Sequence, residues 1–361
     1  MKKILLIGSF LSLGLGSAAS AQSTPSTNAP PPPVAKPVAT KPPAAAADMQ
    51  AVLNALAALQ PAPIEKLTPV KARTQPTAAD ATKAVMRAKG MSTAPDPAVT
   101  TKDVAYGADP WQFVRIYTPV AGGDRARPVV VYYHGGGWVI ADVNVYDATP
   151  RMLARQLGAI VVSVEYRHAP EAKFPAQHED AAAAYQWVLA NARSWGGDTD
   201  RLALAGESAG GNLAVATAIY ARDNGLMMPR HVLSVYPIAN SSKALPSRSD
   251  SANAKPLNTP MLDWFGYYYS TTKADQQDSR INLVAADLRN LPPVTIVNAE
   301  IDPLRSDGET LAAALRQAGG KVDQRTFAGV THEFFGMGTV VRGAYDANAY
   351  AVGRLKSALK N

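Results

Sequence analysis

Leu202-Ala203-Leu204-Ala205-Gly206-Glu207-Ser208-Ala209-Gly210-Gly211-Asn212, continued by Leu213 to Tyr220, is an apolar run that breaks at a glycine-flanked serine and resumes as an alanine-rich stretch. The run predicts a buried strand and the continuation a helix. The G-x-S-x-G between them predicts a sharp turn that lifts the serine hydroxyl above a sheet. Gly206, Gly210 and Gly211 permit that turn, and a helix N-terminus beneath the serine favours developing negative charge. Ser208 is the candidate nucleophile.

The flanking chain repeats the same rhythm. Strand-like runs occur at Phe113 to Thr118, Val129 to Tyr133, Ile160 to Val164, Arg201 to Ala205, Val232 to Tyr236, Val294 to Asn298 and Val322 to Phe327. Helical segments separate most of them: Tyr146 to Leu157, His178 to Trp195, Ala209 to Asp223 and Ser306 to Ala318, with a last one at Arg342 to Leu359. Short apolar strands divided by helices predict an α/β fold with a mainly parallel sheet covered on both faces.

A second glycine cluster, His134-Gly135-Gly136-Gly137-Trp138, follows the strand at Val129 to Tyr133. Acyl transfer forms an oxyanion, and backbone amides aimed at it are worth about 10²- to 10³-fold each in rate. Gly136 and Gly137, with the amide of Ala209 after the nucleophile, are the candidate oxyanion-hole donors. His134 precedes the serine and reads as a residue that pins this loop through its ring nitrogens.

A serine hydroxyl needs a base, and the base needs an acid to orient it, in the chain order serine, acid, histidine. Two histidines follow Ser208. His231 starts a strand after a polar turn and reads as a surface residue. His332 lies in Gly329-Val330-Thr331-His332-Glu333-Phe334-Phe335, a loop leaving the last strand, and is the candidate base. Among Glu300, Asp302 and Asp307, Asp302 sits in the loop after its strand, whereas Asp307 falls where a helix begins and would serve there as an N-terminal charge or cap. Asp302 is the candidate acid.

The 361 residues are 47% hydrophobic and 18% charged, a composition able to bury a full core. The net charge is +7, but Lys2, Lys3, Lys36 and Lys41 fall in the first 47 residues, which hold no acid, leaving +3 for the remainder. No basic face for nucleic acid is expected. The absence of cysteine excludes disulfide scaffolds, thiolate metal sites, cysteine nucleophiles and a lipid-modified N-terminal cysteine. The proposed chemistry requires neither metal nor cofactor.

Lys2 and Lys3 precede an apolar run from Ile4 to Leu15, shorter than the roughly 20 residues that span a bilayer, with Ala19-Ser20-Ala21 following. Residues 1–21 read as a signal peptide cleaved after Ala21, which implies a periplasmic or secreted protein without stable membrane insertion. Residues 22–47 hold eight prolines and no acid or aromatic residue, and read as a disordered linker. Order is expected from Asp48, a plausible cap for an amphipathic helix bearing Met49, Val52, Leu53, Leu56 and Leu59. A second helix is expected over residues 77–90.

The pieces HGGGW, SVEYRHAPEAKFPA, GESAGGN, Tyr236-Pro237, AEIDPLRSDGE and GVTHEFF, in this order and at these intervals, closely resemble the hormone-sensitive-lipase-like bacterial α/β-hydrolase esterases over residues 48–361. The resemblance implies an α/β-hydrolase fold and a Ser208-Asp302-His332 triad, with an oxyanion hole at Gly136, Gly137 and Ala209. It also implies a helical cap, drawn from residues 48–95 and an insertion near 241–275, on a catalytic domain spanning 96–361. The implied function is a serine carboxylesterase for short to medium acyl esters, its partner a small-molecule ester. Amidase or lactonase chemistry, or a binding protein on the same scaffold, are the alternatives. Two positions depart from the family: Glu333 stands where glycine is usual, and His168 where an aliphatic residue is common. Glu333 reads as a solvated side chain, the alternative being a carboxylate near the histidine that disfavours anionic substrates.

Overall fold

The computed structural model describes residues 43–122 and 125–360; the expected signal peptide and nearly all of the expected linker lie outside them. Three helices come first, α1 (Ala47–Ala58), α2 (Pro69–Ala72) and α3 (Ala78–Ala88). Strands β1 (Val99–Ala105), β2 (Phe113–Pro119) and β3 (Arg127–Tyr133) follow, then α4 (Ala148–Leu157), β4 (Ile160–Val164), α5 (Ala176–Asn191), β5 (Gly197–Glu207) and α6 (Ala209–Asp223). After β6 (His231–Val235) come α7 (Pro246–Asp250) and α8 (Thr259–Tyr269). The chain closes with β7 (Val294–Ile301), α9 (Arg305–Gln317), β8 (Val322–Thr331) and α10 (Arg342–Ala358).

Among the described residues the strands form one eight-stranded sheet in the order β1-β2-β4-β3-β5-β6-β7-β8. β2 runs antiparallel to β1 and β4, and every other pairing is parallel. Alternation along a strand sends successive side chains to opposite faces. Val129, Val131 and Tyr133 of β3 thus join a core with α5, α6, α8 and α9, while Val130 and Tyr132 join one with α1, α3, α4 and α10. Side chains such as Val131, Leu204 and Ile296 are wholly buried, each contributing about 1.5–3 kcal/mol from apolar burial. The fold is the expected α/β-hydrolase fold, a mostly parallel sheet flanked by helices.

Four local expectations change. β1 escapes sequence reading because Val99 is its one fully buried residue, so it shows no apolar alternation. Asp48 does not cap α1: Ala46 holds that position, while the Asp48 carboxylate in the first turn accepts from the Arg342 amide at 2.6 Å. His231 is not a surface residue; it is buried in β6, its Nε2 2.9 Å from Thr295 Oγ1 on the neighbouring strand. Glu333 is not fully solvated either, since the Tyr146 hydroxyl donates to it at 2.6 Å. Among the described residues, no helix is long and apolar enough to cross a membrane.

Candidate active site

At the end of β5 the backbone bends at Ser208, with φ 57° and ψ −118°, and α6 begins at the next residue. Such a conformation costs a non-glycine residue about 1–3 kcal/mol and persists only where its surroundings impose it. Here the Ser208 amide donates to the Val235 carbonyl at 2.9 Å, and its own carbonyl accepts from the Asn212 amide. Gly210 is obligatory, because a Cβ there would stand 2.0 Å from the Tyr133 carbonyl oxygen. Elbow and β3 therefore touch backbone to backbone.

The three residues singled out from distant stretches of sequence meet above this turn. His332 Nε2 lies 3.0 Å from Ser208 Oγ, and His332 Nδ1 lies 2.7 Å from Asp302 Oδ2. Asp302 is fixed from behind, since its Oδ1 accepts the Leu304 amide at 2.8 Å. The other two acids near the end of β7 are committed elsewhere. Glu300 accepts the Gly329 amide. Asp307 is buried in the first turn of α9, where it accepts the Ala239 and Asn240 amides and pairs with Arg248 at 2.8 Å.

Burial pulls the His332 imidazole down from its ordinary value, but the charge and hydrogen bond of Asp302, with Glu333 and Glu207 behind it, push it up further, and the net direction is upward. Tyr236 packs its ring 4.4 Å from the His332 ring. Its hydroxyl donates to Glu207, which also accepts from Tyr132 at 2.6 Å. Burial raises the Glu207 carboxyl above its usual range. Sequence reading passed over this carboxylate, although the residue before the nucleophile was its signal.

The glycine loop follows β3. Gly136 has φ 97°, and a Cβ there would lie 2.0 Å from the Ile140 carbonyl oxygen. Among the described residues, the Gly136 and Gly137 amides donate no hydrogen bond. His134 holds the loop from beneath as expected: Nδ1 is 2.8 Å from the Gly135 carbonyl, and Nε2 is 3.3 Å from Glu165 Oε1. His168 Nε2 stands 3.2 Å from the same oxygen.

His134, Glu165 and His168 have the composition of a metal site, their donor atoms within 4.8 Å of one another. Within this cluster Glu165 and His134 form a buried ion pair. Burial would raise Glu165, but the two imidazoles hold it down to about 2. Burial would lower His134, but Glu165 raises it. For His168, burial prevails and the ring is pushed down.

Above Ser208 opens a cavity of about 1160 Å³, whose lining includes Ser208, His332, Gly136, Gly137 and Ala209. Leu56 of α1 and Met86 of α3 reach it from the N-terminal helices, and Met261 and Phe265 of α8 from the segment after β6. Both stretches expected to form a cap thus border the site.

A family model for the alpha/beta hydrolase fold matches residues 130–336, from β3 to just beyond His332. The chain belongs to the hormone-sensitive-lipase-like α/β-hydrolases. Carboxylesterase NlhH of Mycobacterium tuberculosis is 39% identical over 250 residues, 68% of this chain and 78% of the relative. An arylesterase of Saccharolobus solfataricus is 35% identical over 246 residues, 67% of this chain and 79% of the relative. Among solved structures, a thermostable esterase from Pseudomonas putida superposes with a TM-score of 0.78 at 29% identity, covering 89% of this chain and all of its own. A Pyrobaculum calidifontis esterase superposes at 0.73 with 34% identity, covering 84% and 97%.

Proposed function

We propose that the protein is a serine carboxylesterase for short to medium acyl esters, with Ser208, His332 and Asp302 as its triad. The observation that carries this reading is the unbroken relay from Ser208 Oγ through both ring nitrogens of His332 to a doubly anchored Asp302. Ser208 Oγ attacks the ester carbonyl while Nε2 of His332 takes its proton, and Asp302 holds the ring and its developing charge. The carbonyl oxygen becomes an oxyanion that the amides of Gly136, Gly137 and Ala209 stabilise, with the N-terminus of α6 adding its positive end. His332 returns the proton to the leaving alcohol as the carbon–oxygen bond breaks, leaving an acyl-serine. Water, deprotonated by the same imidazole, then releases the acid and restores Ser208.

The helices bordering the cavity act as the cap, and their methionine, leucine and phenylalanine side chains favour an apolar acyl chain. The N-terminal segment serves as an export signal cleaved after Ala21, so the enzyme meets its ester in the periplasm or outside the cell. Hydrolysis of p-nitrophenyl esters from acetate to palmitate, with Ser208→Ala as the blank, tests the reading. Turnover should peak at short to medium chains and vanish in the variant. Covalent labelling by a fluorophosphonate that survives Ser208→Ala would refute the nucleophile.

A further inference from the structure

Glu333 follows the histidine of the relay in a left-handed conformation, φ 69° and ψ 1°. That geometry explains the family's usual glycine, and a longer side chain is strained there. The strain places a carboxylate on the wall of the cavity, its side chain 25% exposed. Oε1 accepts the Tyr146 hydroxyl at 2.6 Å and stands 4.0 Å from His332 Nε2. Among the described residues, Oε2 accepts no hydrogen bond. The side chain is thus aimed rather than free.

The other charges bordering the cavity do not offset it. Arg151 is paired with Asp147, and Arg155 with Asp96. Lys83 and Lys255 are exposed to solvent. Glu207 is closed off beneath the tyrosines.

In the acyl-transfer step Nε2 gives its proton to the leaving alcohol, so the leaving oxygen comes within about 3 Å of Nε2 and within about 7 Å of the Glu333 carboxylate. Substituents a few bonds beyond that oxygen therefore meet this charge before they reach bulk water. We infer that Glu333 forms a cation subsite in the alcohol pocket, favouring esters whose alcohol carries an ammonium group and rejecting those whose alcohol carries a carboxylate. The inference rests on the proposed esterase chemistry and specifies its substrate class. Glu333 acts here through charge, with the bond-making left to Ser208 and His332.

The test compares kcat/KM for three acetate esters: acetylcholine, neohexyl acetate, which has carbon in place of the ammonium nitrogen, and O-acetylglycolate. A unit charge a few ångströms away in a partly solvated pocket is worth about tenfold. The wild-type preference for acetylcholine over neohexyl acetate should fall about tenfold in Glu333→Gln, and the discrimination against O-acetylglycolate should relax by a similar factor. Rates that fall together on all three esters with unchanged ratios would overturn the subsite and leave Glu333 a merely structural role. Raising ionic strength from about 20 to about 500 mM should shrink the preference in the wild type, independently of how any variant folds. A salt-invariant preference would also overturn it. Failure of the esterase reading shows separately, as no turnover of p-nitrophenyl esters by the wild type.

Discussion

The Asp302 carboxylate meets Nδ1 of His332 at 2.7 Å, and both side chains are shut off from solvent. Each Asp302 oxygen has a distinct task, one held by the Leu304 amide and the other by the imidazole. The carboxylate therefore cannot rotate away without breaking a backbone hydrogen bond. The pair fixes the tautomer that presents a lone pair to Ser208.

Asp302→Asn should keep the geometry and lose the function of this pair. An amide either donates to Nδ1 or offers its oxygen in a neutral contact, and it no longer stabilises the imidazolium. The expected result is a fall in kcat of about 10³- to 10⁴-fold on p-nitrophenyl butyrate with little change in KM. A loss under tenfold would remove Asp302 from the orienting role.

The pH profile follows from the upward shift of His332. The base works only when neutral, so a raised value moves the acid limb of kcat/KM above the ordinary imidazole position of 6.5. Activity is full above that limb and is lost as pH falls through it. Glu333 is one of the groups holding the ring up, alongside Asp302 and Glu207 and against burial. Glu333→Gln should therefore move the limb to lower pH, measured as kcat/KM on a neutral ester from pH 5 to 9. A limb that stays in place would separate Glu333 electrostatically from the relay.

Gly136→Ala should damage catalysis more than binding. The new Cβ meets the Ile140 carbonyl oxygen at 2.0 Å in a backbone of φ 97°, so the loop must move and its amides turn away from the position proposed for the oxyanion. Loss of one such donor lowers kcat by about 10²- to 10³-fold. Steady-state kinetics showing a raised KM at unchanged kcat would assign this glycine to substrate binding instead.

Arg248→Ala should unfold the protein more easily. It leaves the wholly buried Asp307 carboxylate without its cation, and breaking such a pair costs about 3–5 kcal/mol. Asp307 also accepts the Ala239 and Asn240 amides, and these remain its partners in the variant. Urea denaturation gives the cost, and Arg248→Ala with Asp307→Asn, which removes the charge but keeps an oxygen for the two amides, should recover much of it. Equal destabilisation in the single and double variants would contradict a charge-burial origin.

The fold and the candidate site were legible to different depths. The parallel core strands announced themselves because they are buried on both faces and read as continuous apolar runs. β1 did not, because it is an edge strand with most of its residues in solvent. Ser208 and the glycine loop carry local signatures, since a tight turn and a close backbone approach impose small residues at fixed spacing. His231 was misread because a histidine at a strand end reveals nothing of its neighbour, and Thr295 belongs to another strand some sixty residues away.

The amino-acid order alone determined the strand–helix alternation, the serine elbow, the glycine loop and the sequence serine, acid, histidine, because each follows from contacts or torsions spanning a few residues. Which acid faces the imidazole, where Glu333 points, and how Glu207 sits between Tyr132 and Tyr236 were decided only in three dimensions. Those relationships join β3, β5, β6, β7 and β8 with the turn before α4. Burial and Coulomb interactions there depend on distances through space that no spacing along the chain encodes.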